Sequence, residues 1–236
     1  YTGSAIRVRR SSDNTEQDVG FNVFSELDTV SLLAFAGTGD AFVKTWYDQS
    51  GNSNDATQTN TANQPKIVSS GAVIVENGKP AVEFDGTDDK LDLTGFTQSA
   101  SNYSLHAVTK DTSNDMFLFD AQSGRLVFDG RGGGRGVYYD GSWEGTSHSG
   151  TSQQLQSIYA ISPSSGQSYV DGSQVNTGLP YTQTPIGGGI ALGGNYQGIN
   201  QCIFGVIQEF ILYPSDESAN RSNIETNIAT FYDITI

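Results

Sequence analysis

The segment VKTWYDQSGNSNDATQ, residues 43–58, sets a run of strand-forming residues (Val43, Lys44, Thr45, Trp46, Tyr47) against a cluster of Asp, Gln, Ser, Gly and Asn. Asx side chains bond the local backbone, and Asn and Gly tolerate left-handed conformations, so the cluster reads as a turn that ends a strand. The same residues gather carboxylate and amide oxygens beside two aromatic rings. That set suits a sugar or metal site, and it also suits a surface turn that bonds only to itself.

Working outward, the pattern of a short apolar run closed by turn residues recurs along the whole chain. Strands are expected at AIRVRR, KTWYD, AVEFDG, YSLHAVTK, MFLFDA, RLVFDG, GVYYDG, QSIYAISP, QSYVDG, GIALGG and FGVIQEFILY. Turn signals every 8–12 residues or so point to an all-β sandwich rather than to alternating strands and helices. Four runs close on Asp-Gly (Asp85-Gly86, Asp129-Gly130, Asp140-Gly141, Asp171-Gly172), where Gly accepts positive φ in a tight turn. Helices are expected in two places. Ser25–Ala36 has Leu27, Val30, Leu32, Leu33 and Phe35 at rough helical spacing, with Ser25 or Asp28 as cap. In 216–231, Ile224, Ile228 and Phe231 define one packing face, and Asp216 and Glu217 suit the positive end of the helix dipole. No linker or shift in composition divides the chain, so 1–236 reads as a single domain. Tyr1 opens it without an initiator Met, which suggests a piece excised or processed from a larger protein.

The 236 residues are enough for a sizeable core without covalent staples. Cys202 is the single cysteine and reads as a small buried apolar residue, so no disulfide framework exists. With 26 acidic and 12 basic residues the net charge is −14. That balance argues against nucleic acid, whose phosphates need a basic patch, and against anionic membrane surfaces. No run approaches the 18 or so apolar residues of a membrane span, so no membrane insertion is expected. Uncharged glycans and cations remain suitable partners. With only His106, His148 and one Cys, a zinc site is not expected. His106, in a strand, reads as a packed histidine. In Val206–Tyr213 either Gln208 or Glu209 is expected to be half-buried and structurally hydrogen-bonded.

WYDQSGNSNDATQ resembles a segment of the catalytic domain of fungal α-L-arabinofuranosidase B, a sandwich of the concanavalin A/laminin-G type. PAVEFDGTDDKLDL (80–93) is similar to a strand–turn–strand of laminin-G-like jelly rolls. GVIQEFILYPSDESANRSNIETNI (205–228) resembles the closing strand and short terminal helix of that group, and AIRVRRSSDNTEQDVGF its opening strand. The stretch from about 95 to 180 is matched only loosely. The resemblance implies a two-sheet antiparallel jelly roll with a short C-terminal helix.

It also implies where chemistry would sit. Retaining glycoside hydrolysis needs two carboxyl groups about 5–5.5 Å apart. The family's acid/base is an Asp after Gly-Gly; here Gly193-Gly194 is followed by Asn195, and an amide cannot donate a proton as a carboxylic acid does. The nucleophile position falls nearest Asp140, or Glu144 close by, although Asp140 also reads as one more Asp-Gly turn. For sugar binding, the candidates are Trp46, Asp48 and Gln49 with Arg131, Arg135, Tyr138, Tyr139, Trp143 and Asn195: flat rings to stack on C–H faces and polar groups to read hydroxyls. Tyr138 and Tyr139 read equally as cross-strand pairs of a hairpin. No other cofactor is expected. The resemblance allows one structural calcium, for which Asp85, Asp88 and Asp89 form an oxygen-rich loop, as do Asp48 to Asp55.

With one carboxyl position lost and the other in doubt, the sequence favours non-catalytic, lectin-like recognition of a glycan or polysaccharide. The module would belong to an extracellular, cell-surface or virion-surface protein. A retaining α-L-arabinofuranosidase-like glycoside hydrolase and a structural domain binding protein neighbours are the alternatives. The sequence leaves the oligomeric state open.

Overall fold

The computed structural model describes residues 3–94, 96, 102–111, 117–123, 126–128, 135–139, 142–146, 150–161, 165–179, 187–196, 198 and 201–236, with backbone alone for residues 122–146, 177–179 and 187 among these. In chain order the strands are β1 (Ser4–Arg10), β2 (Glu16–Gly20), β3 (Ala41–Trp46), β4 (Ala56–Thr57), β5 (Lys66–Ser69), β6 (Ala72–Val73), β7 (Val75–Glu76), β8 (Lys79–Pro80), β9 (Val82–Asp85) and β10 (Leu91–Thr94). They continue as β11 (Tyr103–Asp111), β12 (Phe119–Ser123), β13 (Leu126–Phe128), β14 (Arg135–Tyr139), β15 (Ser142–Thr146), β16 (Gln154–Ala160), β17 (Gly166–Val170), β18 (Ser173–Leu179), β19 (Gly187–Leu192) and β20 (Phe204–Tyr213). The helices are α1 (Thr29–Ala36) and α2 (Arg221–Tyr232).

β3 is where the two sheets part. Its first residues, Ala41 and Phe42, pair with β5, while Thr45 and Trp46 pair with β4. From β5 the first sheet runs β5–β9–β20–β11–β16–β17–β18. From β4 the second runs β4–β10–β19–β12–β13–β14–β15. Every one of these pairings is antiparallel, and β1 and β2 continue from the other edge of β3. The all-β two-sheet sandwich expected from the sequence is therefore the architecture found.

Alternation along the strands builds the core. Phe84, Leu105, Ile158 and Ile207 of the first sheet meet Leu91, Leu93, Phe119, Ile190 and Leu192 of the second in one buried apolar cluster. The residues between them point to the outer faces. On the first sheet that face is itself buried: Val108 and Leu155 pack under Ile228, Ala229 and Tyr232 of α2. β11 and β16 are consequently buried on both sides. His106 lies in this layer, edge-on to the Tyr159 and Tyr213 rings with Nδ1 3.0 Å from Ser157 Oγ, and burial pushes it down to about 4. It is the packed histidine expected.

The turn chemistry at Asp171-Gly172 follows the expectation: both residues have positive φ (47° and 72°), the geometry of a type I′ hairpin between β17 and β18. Asp140-Gly141 and Asp129-Gly130 lie outside the described residues, as does His148. Cys202 is buried, with its thiol pushed up to about 12 by that burial.

Both helices differ from expectation in the face they bury. α1 begins only at Thr29, where Asp28 caps it by accepting from Ser31 N. Asn22 Oδ1 accepts from the amides of Phe24 and Glu26, so the preceding residues close as a loop instead of joining the helix. Val30 is 79% exposed, and Leu32, Phe35 and Ala36 make the contact. In α2 the buried set is Glu225, Ile228, Ala229 and Tyr232, one step round from Ile224–Ile228–Phe231. Polar partners turn it: Glu225 accepts from Arg221 Nη1 (2.6 Å) and Tyr159 Oη (3.3 Å), and Tyr232 Oη donates to Glu209 Oε2 (3.0 Å). Glu209 is thus the structural hydrogen-bonding carboxylate expected of that strand. No described helix is long and apolar enough to cross a membrane.

Candidate functional site

The outer face of the second sheet has no helix over its described strands, and three short triplets decide what it presents. Leu91-Asp92-Leu93, Phe119-Asp120-Ala121 and Ile190-Ala191-Leu192 each bury their flanking residues, so strand alternation sends the middle one outward. The register then lines the three up, with Asp92 opposite Ala191 and Ala191 opposite Asp120. Directly opposed residues of an antiparallel pair share a face. Two carboxylates therefore flank the small side chain of Ala191, with Cα atoms two strand spacings apart, about 10 Å. Asp92 is half-buried and Asp120 fully buried.

The row continues in both directions. Thr57 pairs with Asp92 on one side. On the other, Phe119 pairs with Phe128, which sets Val127 beside Asp120; Val127 pairs with Tyr138, and Tyr138 with Trp143. Tyr138 and Trp143 hold register positions on the row of the two aspartates. Glu144 is one residue off it, opposite Val137, and Arg135 is opposite Thr146. Tyr139 pairs with Ser142. Arg131 and Asp140 lie outside the described residues.

One end of the face is closed by the segment that follows β19. Gly193 takes φ of 83°, and a Cβ there would lie 2.3 Å from the Phe84 ring, so a glycine is required for the chain to turn over the core. The turn delivers Asn195 and Tyr196 beside the carboxylates: Tyr196 N donates to Asp120 Oδ2 (3.1 Å), and Tyr196 Oη to Gly188 O (2.8 Å). Asn195 Nδ2 donates to Gln201 Oε1 (3.2 Å). From just before β10, Lys90 reaches the same place. Its Nζ donates to the carbonyls of Asn195 (3.3 Å) and Tyr196 (3.4 Å) and forms an ion pair with Asp92 Oδ1 (3.2 Å). No hydrogen bond of ordinary geometry reaches Asp92 Oδ1, and Lys90 acts on it mainly through its charge. Burial raises the Asp92 carboxyl above its usual range and the Lys90 charge opposes the rise.

The first segment of interest behaves as a turn. Asp48 accepts from Ser50 N, Ser50 Oγ and Asn54 N, and its own amide donates to Asp55. Burial alone would raise Asp48; the Asn54 and Ser50 amides outweigh it and hold the carboxyl below its ordinary range. Gln49 Nε2 donates to the carbonyls of Ser4 and Tyr47, and Trp46 packs against the core. These three join β3 to β4, at the opposite end of β10 from Asn195.

Carboxylate oxygens of Asp85, Asp88 and Asp89 lie within 4.8 Å of one another, next to Lys90 in sequence. Burial and then the charge of Asp85 push Asp89 up to about 7. Asp85 Oδ1 already accepts from the amides of Thr87 and Asp88, and Asp89 Oδ2 from Asp85 N. The oxygens left over fall short of the six to eight that calcium takes unless carbonyls or waters add to them. The chemistry below does not pass through a metal.

Sequence reasoning missed Asp92, Asp120 and Lys90. The signal was the apolar–Asp–apolar triplet, which in a strand with a buried face puts a carboxylate on the other side.

No protein-family model matches the sequence, and no curated protein is similar to it. In three dimensions the chain is similar to an arabinofuranosidase solved in complex with arabinofuranosyl-α-1,2-xylobiose, at 18% identity over 97% of this chain and 59% of that one, with a TM-score of 0.70. A GH54 α-L-arabinofuranosidase soaked with a cyclic sulfate inhibitor matches at 16% identity over the same shares, with a TM-score of 0.72. Trypanosoma rangeli sialidase in complex with sialic acid is more distant, at 14% identity over 80% of this chain and 31% of that one, TM-score 0.53. The chain spans about three fifths of the length of the arabinofuranosidase chains it matches. The resemblance drawn from the sequence is therefore borne out as a resemblance of fold. The expectation of a non-catalytic, lectin-like module is corrected, because these neighbours are glycoside hydrolases. That expectation rested on the loss of a carboxyl at Asn195, and Asp92 and Asp120 lie beside Asn195, so the amide does not empty this face of carboxyl groups.

Proposed function

We propose that the chain is a glycoside hydrolase of the retaining, α-L-arabinofuranosidase-like kind, acting on arabinofuranosyl groups of a glycan or polysaccharide. The observation that carries the proposal is the pair Asp92 and Asp120 flanking Ala191 on the face that Asn195 borders, in a sandwich similar over 97% of the chain to arabinofuranosidases. Retaining hydrolysis uses carboxyl groups about 5–5.5 Å apart, and two Asp residues about 10 Å apart at Cα would have to lean toward each other over the small Ala191 side chain to meet it. Asp92, beside a fixed cation, supplies the charged carboxylate. Its oxygen attacks the anomeric carbon as the bond to the leaving oxygen breaks, and the Asp120 carboxyl gives that oxygen its proton. Water then gives a proton back to Asp120 and its oxygen to the anomeric carbon, which frees Asp92. Asn195 hydrogen-bonds sugar hydroxyls.

The test is release of 4-nitrophenol from 4-nitrophenyl α-L-arabinofuranoside by the purified chain, with Asp92→Asn, Asp120→Asn, Asp140→Asn and Glu144→Gln compared. Loss of turnover in the first two supports the assignment. Loss confined to Asp140→Asn or Glu144→Gln moves the chemistry to the β14–β15 hairpin, and no turnover by the wild type removes the hydrolase reading.

A further inference from the structure

Lys90 is a cation placed where charge is expensive. The residue is 8% exposed, and an ammonium withdrawn from water is tolerated only when it is paired and hydrogen-bonded. Its three partners come from two separate parts of the fold: Asp92, two residues on in the strand that follows it, and the consecutive carbonyls of Asn195 and Tyr196 on the segment that closes the site. Lys90 comes just before β10 and Asp92 is the second residue of that strand, and the 3.2 Å contact between Nζ and Oδ1 brings the two head groups together. A lysine serving only to neutralise a carboxylate would not need both carbonyls, and one serving only to pin a turn would not need the carboxylate.

We propose that Lys90 is the positioning residue of this site, a single ammonium that clamps the Asn195–Tyr196 segment to β10 and keeps Asp92 in its charged form. Its catalytic consequence rests on the hydrolase reading above. The groups that face Asp92 can be named element by element. The segment just before β10 brings Lys90, β4 brings Thr57, and β19 brings Ala191, neither of the last two titrating. Asp120 lies one strand beyond Ala191 on β12, and Asn195 and Tyr196 come from the closing segment. Lys90 is the cation in this set, and it opposes the burial that disfavours a charged Asp92. Removing Lys90 therefore shifts Asp92 toward its neutral form at any given pH. If the ionised Asp92 carboxylate is the form that reacts, the acid limb of the kcat/KM profile moves to higher pH.

The experiment compares wild type with Lys90→Met, which keeps the length and drops the charge, and Lys90→Arg, which keeps the charge. Lys90→Gln stands in for Lys90→Met should that variant not fold. Two readouts are taken: the pH titration of the Asp92 side-chain carboxyl by carbon NMR, and the pH profile of kcat/KM on 4-nitrophenyl α-L-arabinofuranoside. The expected result is a rise of about one pH unit in the Asp92 midpoint in Lys90→Met, tenfold in the ionised fraction on the acid side, with the acid limb moving alongside it. Lys90→Arg returns both toward wild type. An unmoved midpoint overturns the proposal, and so does a limb that stays in place while the carboxyl moves. A wild-type chain that turns over no substrate overturns the hydrolase reading alone, and the coupling of Lys90 to Asp92 is then decided by the titration.

Discussion

The outer faces of the two sheets follow the same rule of alternation and come to opposite ends. On the first sheet the outward residues of β11 and β16 (Ser104, His106, Val108, Ser157 and Tyr159) are buried, and Val108 packs directly under α2. Their polar atoms are largely consumed by structure: His106 by Ser157, Tyr159 by Glu225, Ser104 by the Ser215 carbonyl and the Glu217 amide. On the second sheet the outward residues include Asp92 and Asp120, and what lies against them is Lys90, from just before β10, and a turn that brings further polar atoms. One face spends its polar groups on holding a helix. The other keeps two carboxylates and a cation together, which costs stability and is characteristic of a site. Titratable groups that are buried are therefore not by themselves a guide to function in this fold; the element that covers them is.

The comparison breaks first at Asp92. Asp92→Asn is expected to lower hydrolysis per folded molecule by at least a hundredfold, with a lower melting temperature as well, because the buried Lys90 ammonium loses its ion-pair partner. An equal loss of activity and of folding would make Asp92 part of the scaffold, like the first face. The reverse experiment lies under α2. Arg221→Ala leaves Glu225, 1% exposed, without its cation and is expected to cost about 3 kcal/mol in urea unfolding, with kcat/KM per folded molecule unchanged. If activity fell as well, the two faces would not be independent.

A smaller effect sharpens the contrast near the site. Asp89 is pushed up to about 7 by burial and the charge of Asp85, against about 3.8 for the free side chain. A carboxyl that is easier to protonate when folded stabilises the chain below the unfolded value and loses that contribution as pH rises through the folded one. With chelator present, Asp89→Asn should therefore be several degrees more stable than wild type at pH 8, and the gap should close by about pH 4. A gap that does not change with pH would mean that Asp89 gains nothing from its proton. The smallest effect is expected at Asn195. Asn195→Asp should change turnover by less than tenfold, because the carboxyl work is assigned to Asp92 and Asp120; a large gain would return the acid/base role to that position.

Most of the sandwich could be read from residues alone. FGVIQEFILY is a strand from its first residue to its last, and Asp171-Gly172 makes the expected hairpin. What could not be read were elements whose stability comes from neighbours. β4, with two residues, exists because it bridges β3 and β10, and β2, EQDVG, has a polar composition that only pairing with β1 turns into a strand. The α2 face turned by one position because Glu225 and Tyr232 found buried polar partners, which helical periodicity of apolar residues cannot anticipate. The site was half legible. Asn195 was identified from the sequence, whereas Asp92 and Asp120 are 28 residues apart in the chain and meet only through the register of β10 and β12 on either side of β19. Trp46, Asp48 and Gln49 show the opposite case, since a chemically rich cluster can direct much of its hydrogen bonding into its own turn.

The most direct test of the account is the rate of 4-nitrophenol release from 4-nitrophenyl α-L-arabinofuranoside by wild type and by Asp92→Asn at matched, verified folding. The account predicts turnover by the wild type and its loss in the variant. A wild type without turnover, or a variant as fast as the wild type, would contradict it.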